Sequence, residues 1–321
     1  MAISILNQSS CGTTANVGQA GCGFTPALTK YACLIPKGFV IPESAMASAA
    51  AFNIYIQARL YDNNRNAQFY LTPLLTNFTD KTAAVKEENR DENMKRTFIP
   101  NYQFSFLMND DLCNFLNWRK FDLSQSQFDV LLVDANSTWC GRKGLDATGA
   151  NGLGGYAMFE INIDPWRLAT VSAAAHYPLM LKFQDWKQMN DNFSFITANT
   201  DMGSLQGLID VTLVATQISN TVNAHIKAAG FVGCASDFAS TYNSLTSASF
   251  VVTDTTTNTV KTITSVTFVP GTNLAGPYYD LLISGVLTAT DVINVKLALP
   301  SVNIALGYNI TTVNNATFIA V

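Results

Sequence analysis

The chain has 321 residues, enough for two domains of ordinary size. Hydrophobic residues make up 48% and the mean hydropathy is +0.15, which supports a full core and argues against global disorder. Charged residues are only 13%, about half of the ~25% usual in soluble proteins, and the net charge of −4 leaves no basic stripe for tight nucleic-acid binding.

Such low charge fits a subunit that buries surface against its neighbours, because interface cores are depleted of charge. Met1 to Gly12 has neither a basic region nor an apolar run, so it does not read as a signal peptide. No run of about 18 apolar residues occurs, so no membrane-spanning helix is expected. The six cysteines are Cys11, Cys22, Cys33, Cys113, Cys140 and Cys234. They form no CxxC and have no histidine near in sequence, so free and mostly buried thiols are expected rather than a metal site.

Charge is unevenly placed. Residues 1–58 carry only Lys30, Lys37 and Glu43, and residues 220–321 carry only seven charges. The sequence therefore divides into a neutral N-terminal arm over 1–35, a charged β domain over 36–232, a linker over 233–247 and a nearly neutral β domain over 248–321. The arm is rich in Gly, Ser, Thr and Asn but holds apolar anchors, among them Phe24 and Tyr31, that suit ordering on a neighbouring subunit.

In the central domain, Asn53–Leu60 alternates and reads as a strand, followed by a polar turn over Asp62–Asn66. Residues 72–97 read as a long excursion from a hairpin. It contains KTAAVKEENRDENMKR, with nine charges in sixteen residues. Its mixed signs suit salt bridges to a neighbour, through Lys86, Glu87, Glu88, Arg90, Asp91, Glu92, Lys95 and Arg96.

Tyr102–Leu107 resumes the alternation. A short helix follows over Asp111–Lys120, with Leu112, Phe115, Leu116 and Arg119 on one face. Phe128–Val133 is a strand, Asp134–Ser137 a turn, and Thr138–Arg142 the returning strand. The Gly-rich stretch GRKGLDATGANGLGGY has neither GK[ST] nor GxGxxG placement, so it reads as a flexible loop rather than a phosphate cradle. Further strands are expected over Tyr156–Ile163 and Tyr177–Phe183. Asp210–Ala215 reads as a strand. Ser219–Ala229 reads as a helix stopped by Gly230. Short Thr/Val/Ile-rich strands between turns from Phe250 to Val321 suggest an Ig-like β-sandwich. The fold class is thus mainly β: a sandwich or barrel with a short flanking helix, then an Ig-like sandwich.

No GxSxG, HExxH, SxxK or EF-hand loop occurs. His176 and His225 are the only histidines, and Asp110 with Asp111 reads as a helix cap rather than a catalytic pair. No catalytic residue, cofactor site or metal site is assigned, and the chain is not expected to be an enzyme.

The stretches Thr97–Leu107, Asp110–Phe121, Phe128–Arg142, Gly155–Ile163 and Tyr177–Trp186 resemble the tube subunits of tailed-phage tails. Those proteins run from a strand to a short helix, then through an apolar strand ending in Asp, here VLLVDANSTWCGR. The resemblance covers residues 50–215. It implies stacked rings around a channel for genome delivery, a loop to the adjacent ring supplied by 72–97, and an outer Ig-like domain. It also implies a virion location after assembly in the host cytoplasm. The implied partners are the chain itself, other virion proteins and DNA that passes without specific binding, with no membrane. A capsid, neck or decoration subunit of a virion is the alternative, and a surface binding module a more distant one. An acidic lumen lined by central-domain carboxylates is expected, since it would repel passing phosphates.

Overall fold

The computed structural model describes residues 6–7, 27–62, 64, 66–90, 93–109, 112–123, 127–171, 174–190, 192–202, 205, 207–220, 222–232, 236–272 and 276–321. The fold is mainly β. It divides into two compact units, Met1–Gly207 and Leu208–Val321.

The N-terminal unit contains β1 (Leu6–Asn7), β2 (Thr29–Pro36), β3 (Val40–Pro42), helix α1 (Ala49–Leu60), β4 (Tyr70–Leu71) and β5 (Leu75–Asp80). A hairpin of β6 (Lys86–Arg90) and β7 (Asn93–Phe98) follows, then β8 (Gln103–Met108) and helix α2 (Leu112–Trp118). The unit ends with β9 (Phe128–Asp134), β10 (Thr138–Leu145), β11 (Asn151–Gly154), β12 (Tyr156–Ile163), β13 (Tyr177–Phe183) and β14 (Phe193–Thr197).

Strand β9 organises this unit. It pairs along its length with β2, and its opposite edge meets β10 at Leu132 and Val133 but β12 at Asp129 and Val130. The sheet thereby splits into two leaves in the order β1-β14-β10-β9-β12-β13-β8-β5. The leaves enclose one core, where Leu34, Val130 and Leu132 meet Phe106, Met158, Leu179 and Leu181. A second core lies on the other face of β2 and β9, where Cys33, Ile35, Leu131 and Val133 pack under α1. Burial on both faces is why β9 reads as a continuous apolar run instead of an alternation.

Residues 53–60, expected as a strand, belong to helix α1. Ser48 caps it, its hydroxyl accepting the Ala51 N–H at 3.0 Å. Ala49–Ala51 favour helix, and Phe52, Ile56 and Leu60, four apart, form the buried stripe. The apparent period of two came from Ile54, which points to solvent at 72% exposure. In α2 the buried side is Phe115, 5.2 Å from the Tyr177 ring, with Trp118 packed against the same core. Leu112 and Leu116, placed on the apolar face by helical spacing, are exposed.

The Gly-rich stretch is not a loose loop. Asp146 Oδ1 accepts the Thr148 and Ala150 N–H groups and closes a tight turn from β10 into β11. Strand β11 is then clamped between β10 and β3, with Gly152–Gly154 buried. A Cβ at Gly152 would run into the Ile41 carbonyl, so glycine there serves close strand packing.

The C-terminal unit contains β15 (Ile209–Asn220), β16 (Ala224–Val232), β17 (Ser236–Asp237), β18 (Phe250–Asp254), β19 (Thr259–Lys261) and β20 (Ile263–Val269). It continues with β21 (Tyr278–Ile283), β22 (Val292–Leu297), β23 (Ile310–Asn314) and β24 (Ala316–Ile319). One sheet runs β20-β21-β16-β15-β23, the other β19-β18-β22-β24. Both contribute to a single core with Tyr279, Leu281, Ile226, Val252 and Val295 at its centre. This is the Ig-like strand order, with β15, β16, β21 and β20 in one sheet and β18, β22 and β24 in the other.

The boundary therefore falls at 207/208 and not in a linker over 233–247. Residues 209–232 pair with β21 and β23 and supply the first two strands of the sandwich. Where a helix is expected over 219–229, residues 219–220 end β15 and residues 224–229 lie in β16. Ile218 and Val222 are exposed, whereas Ala224, Ile226 and Ala228 alternate inward. Gly230 is no helix stop: a Cβ there would meet the Thr212 carbonyl across the ladder.

Candidate assembly surfaces

The residues expected to contact neighbours fall into three groups. Lys86, Glu87, Glu88 and Arg90 lie on β6, and Lys95 and Arg96 on β7. The Cα register sets Glu87 opposite Arg96 and Glu88 opposite Lys95 within one hairpin. Asp91, Glu92 and Phe24 lie outside the described residues. Tyr31 is placed on β2, opposite Val133 and half-buried against the core beneath α1, so its own unit covers much of the ring. The arm expected over 1–35 is thus in part structural, since residues 29–35 form a strand beside β9.

The hairpin β6–β7 is a sheet of two strands and, among the described residues, pairs with no other strand. Residues 72–97, expected as an excursion, also contain β5, which ends the large sheet. Beyond Leu75 this strand is open to solvent: Asn77 to Asp80 are exposed, and Phe78 rests on Phe104 at 5.2 Å. At the other end of the sheet, among the described residues, β1 pairs β14 at Ser194 and Phe195. Sequence periodicity missed these edges because strand order is a tertiary property.

The chemistry-bearing residues are held in structural roles. Burial pushes the Cys33 thiol far up, and burial with the Asp134 charge pushes Cys140 to about 12, so both stay protonated and poorly nucleophilic. Asp134 closes the β9–β10 turn, its Oδ1 accepting the Asn136 and Thr138 N–H groups. Asp129 is buried. It accepts the Gly38 N–H at 3.0 Å and pairs with the Arg142 guanidinium at 3.3 Å, while Arg142 Nε donates to the Gly155 carbonyl at 2.7 Å.

His225 Nδ1 lies 2.9 Å from Asp280 across β16 and β21. Among the described residues no hydroxyl or thiol is hydrogen-bonded to its other ring nitrogen. His176 lies beside the Ala174 carbonyl at 2.9 Å. Cys11, Cys22, Cys234 and the Cys113 side chain lie outside the described residues, as do Asp110 and Asp111. Among the described residues no three His, Cys, Asp or Glu side chains gather as a metal site, and no helix is long and apolar enough to cross a membrane. No protein-family model and no curated protein matches the chain.

Proposed function

We propose that this chain is a structural subunit that assembles with copies of itself, in the form of the stacked-ring tail tube of a tailed phage. The observation that carries self-assembly is the unfinished state of the N-terminal unit's strands. Among the described residues, the large sheet ends on β5 and β14 is paired by β1 at two residues. Open strand edges invite pairing with another chain. Edges at opposite ends of one sheet suit head-to-tail contacts, which close rings when the rotation between subunits allows.

The hairpin β6–β7 adds a contact along the stack. An isolated two-stranded hairpin is marginal in water, and a docked neighbour would stabilise it. The tube, rather than a shell or decoration role, is favoured by the resemblance of residues 50–215 to tube subunits. In this reading the C-terminal sandwich decorates the tube, DNA passes without specific binding, and the protein resides in the virion.

Negative-stain microscopy of the purified chain is the test, and rings or tubes are expected. A strictly monomeric state at high concentration would sink self-assembly. A shell would replace the tube by a capsid role, and a strongly basic bore in an assembled ring would overturn the acidic lumen.

A further inference from the structure

The C-terminal unit carries a second assembly feature, independent of the ring reading. Among the described residues, strand β20 ends its sheet and pairs on one side only, with β21. Alternate residues of such a strand point their N–H and C=O groups away from the sheet, where they can pair with another strand. Proteins ordinarily blunt such an edge with charge, proline or a very short strand. The seven residues Ile263–Val269 contain no charge, no proline and no glycine. The nearest charge along the chain, Lys261, is bound to Asp254 at 3.1 Å. The core behind the strand is open as well. Ile263, Val266 and Phe268 pack on it but stay partly exposed, whereas Tyr279, Leu281 and Ile283 on β21 are at most 1% exposed. An added strand would complete their burial.

The other free edges differ. β19 has three residues and ends on Lys261, and β24 has four. β23 shifts register against β15, and the Asn314 side chain is tied to the Leu213 backbone.

We propose that β20 pairs antiparallel with β20 of a second copy, about a two-fold axis at Thr267. The bulge lies between Ile263 and Ser265, which leaves Ser265–Val269 regular. With Thr267 opposite its copy, Val266 faces Phe268 on the core side and Ser265 faces Val269 on the outer side. Aromatic to β-branched and Thr–Thr pairs are favourable across antiparallel strands, and no like charges meet. This self-match selects a copy of the same strand as occupant. Five paired residues span about 17 Å, so the contact is small beside a standard interface and is driven by concentration. A two-fold contact closes on itself, which separates it from the head-to-tail contacts of a ring.

The test uses the full chain. Thr267→Cys under mild oxidation is expected to give a disulfide-linked dimer joined at position 267, with a yield that rises with concentration. Ala289→Cys, on an exposed turn, is expected to give none. In hydrogen exchange, amides of 263–269 in the native chain should gain at least tenfold protection between micromolar and millimolar protein. Thr267→Lys should abolish that gain and leave peptides from 75–98 unchanged. Equal dimer yield from the two cysteine variants, trapping of position 267 on another segment, or concentration-independent protection would each overturn the proposal. Because rings are read by microscopy and this contact at one strand, either reading can fail while the other stands.

Discussion

In the N-terminal unit, β2 and β9 are buried on both faces, one under helix α1 and the other against the second leaf. In the C-terminal unit, β16 and β21 each have one core face and one outward face. The difference is visible in the residues. Val130 to Val133 form an unbroken apolar run, whereas Ala224 to Gly230 alternates with His225, Lys227 and Ala229 on the outer side. Along β9 the buried charges are kept near the strand ends, Asp129 and Asp134, and the unit places most of its other charge elsewhere, on the β6–β7 hairpin among other sites. The C-terminal sandwich has outward faces to spare, yet fills them largely with Thr, Ser and Val. Low charge therefore has two sources, double burial in one unit and a neutral surface in the other.

The largest expected effect tests the double burial. Trp139 is fully buried beneath α1, edge-on to Phe52 at 5.4 Å. Trp139→Ala should cost about 3–5 kcal/mol in chemical denaturation, the range for emptying a large core site. Trp139→Phe should cost far less, because the indole N–H has no acceptor among the described residues and its removal relieves a buried unpaired donor. Equal costs for the two variants would mean that the indole itself, and not the volume it fills, holds this face.

The C-terminal counterpart is polar. Asp254 sits buried at the β18–β19 turn and accepts the Thr256 and Thr257 N–H groups, the Thr257 hydroxyl and the Lys261 ammonium. Burial opposes its charge, but the Thr257 bonds and Lys261 outweigh burial and bring the carboxyl to about 2. Since this lies below the value of about 4 for an unfolded chain, the stabilisation is complete above pH 4 and fades as pH falls toward 2. Asp254→Ala should cost about 2–3 kcal/mol at neutral pH, with the difference from native shrinking in acid. A cost that stays constant from pH 7 to pH 2 would remove the carboxylate as its cause.

A smaller effect probes the α1 cover. Ser48→Ala removes the cap and should cost about 1 kcal/mol, read as faster hydrogen exchange in residues 49–53. The smallest stability effect is expected at the hairpin. Glu88→Lys sets like charges at positions 88 and 95 and should shift stability by only about 0.5 kcal/mol. If the hairpin joins neighbouring rings, the same variant shortens or abolishes tubes in microscopy. Long tubes from this variant would confine the hairpin to a local role.

Legibility followed the same division. The strands from 250 onward were readable because a face toward water imposes a period of two. Residues 53–60 mimic a strand because Asn53, Tyr55 and Gln57 alternate with apolar neighbours, while the capping Ser48 and the three alanines before them carry the helical signal. The Gly-rich stretch announced an unusual backbone but not its reason, since close packing against β3 depends on a strand more than one hundred residues away. Of the candidate surfaces, the charged hairpin was legible from its charge run. The edges β5 and β20 were not, because an edge is defined by which strand is missing beside it.

By itself the sequence determined the mainly β class, the nearly neutral character of the C-terminal third, and the lack of any recognisable catalytic motif. These follow from local propensity, periodicity and composition. Tertiary structure alone decided that the units part at 207/208, that β9 splits one sheet into two leaves, and which strands lie open. The physical reason is that strand pairing is non-local. Hydrogen bonds of the ladder join segments far apart in the chain, and neither composition nor period records their partners.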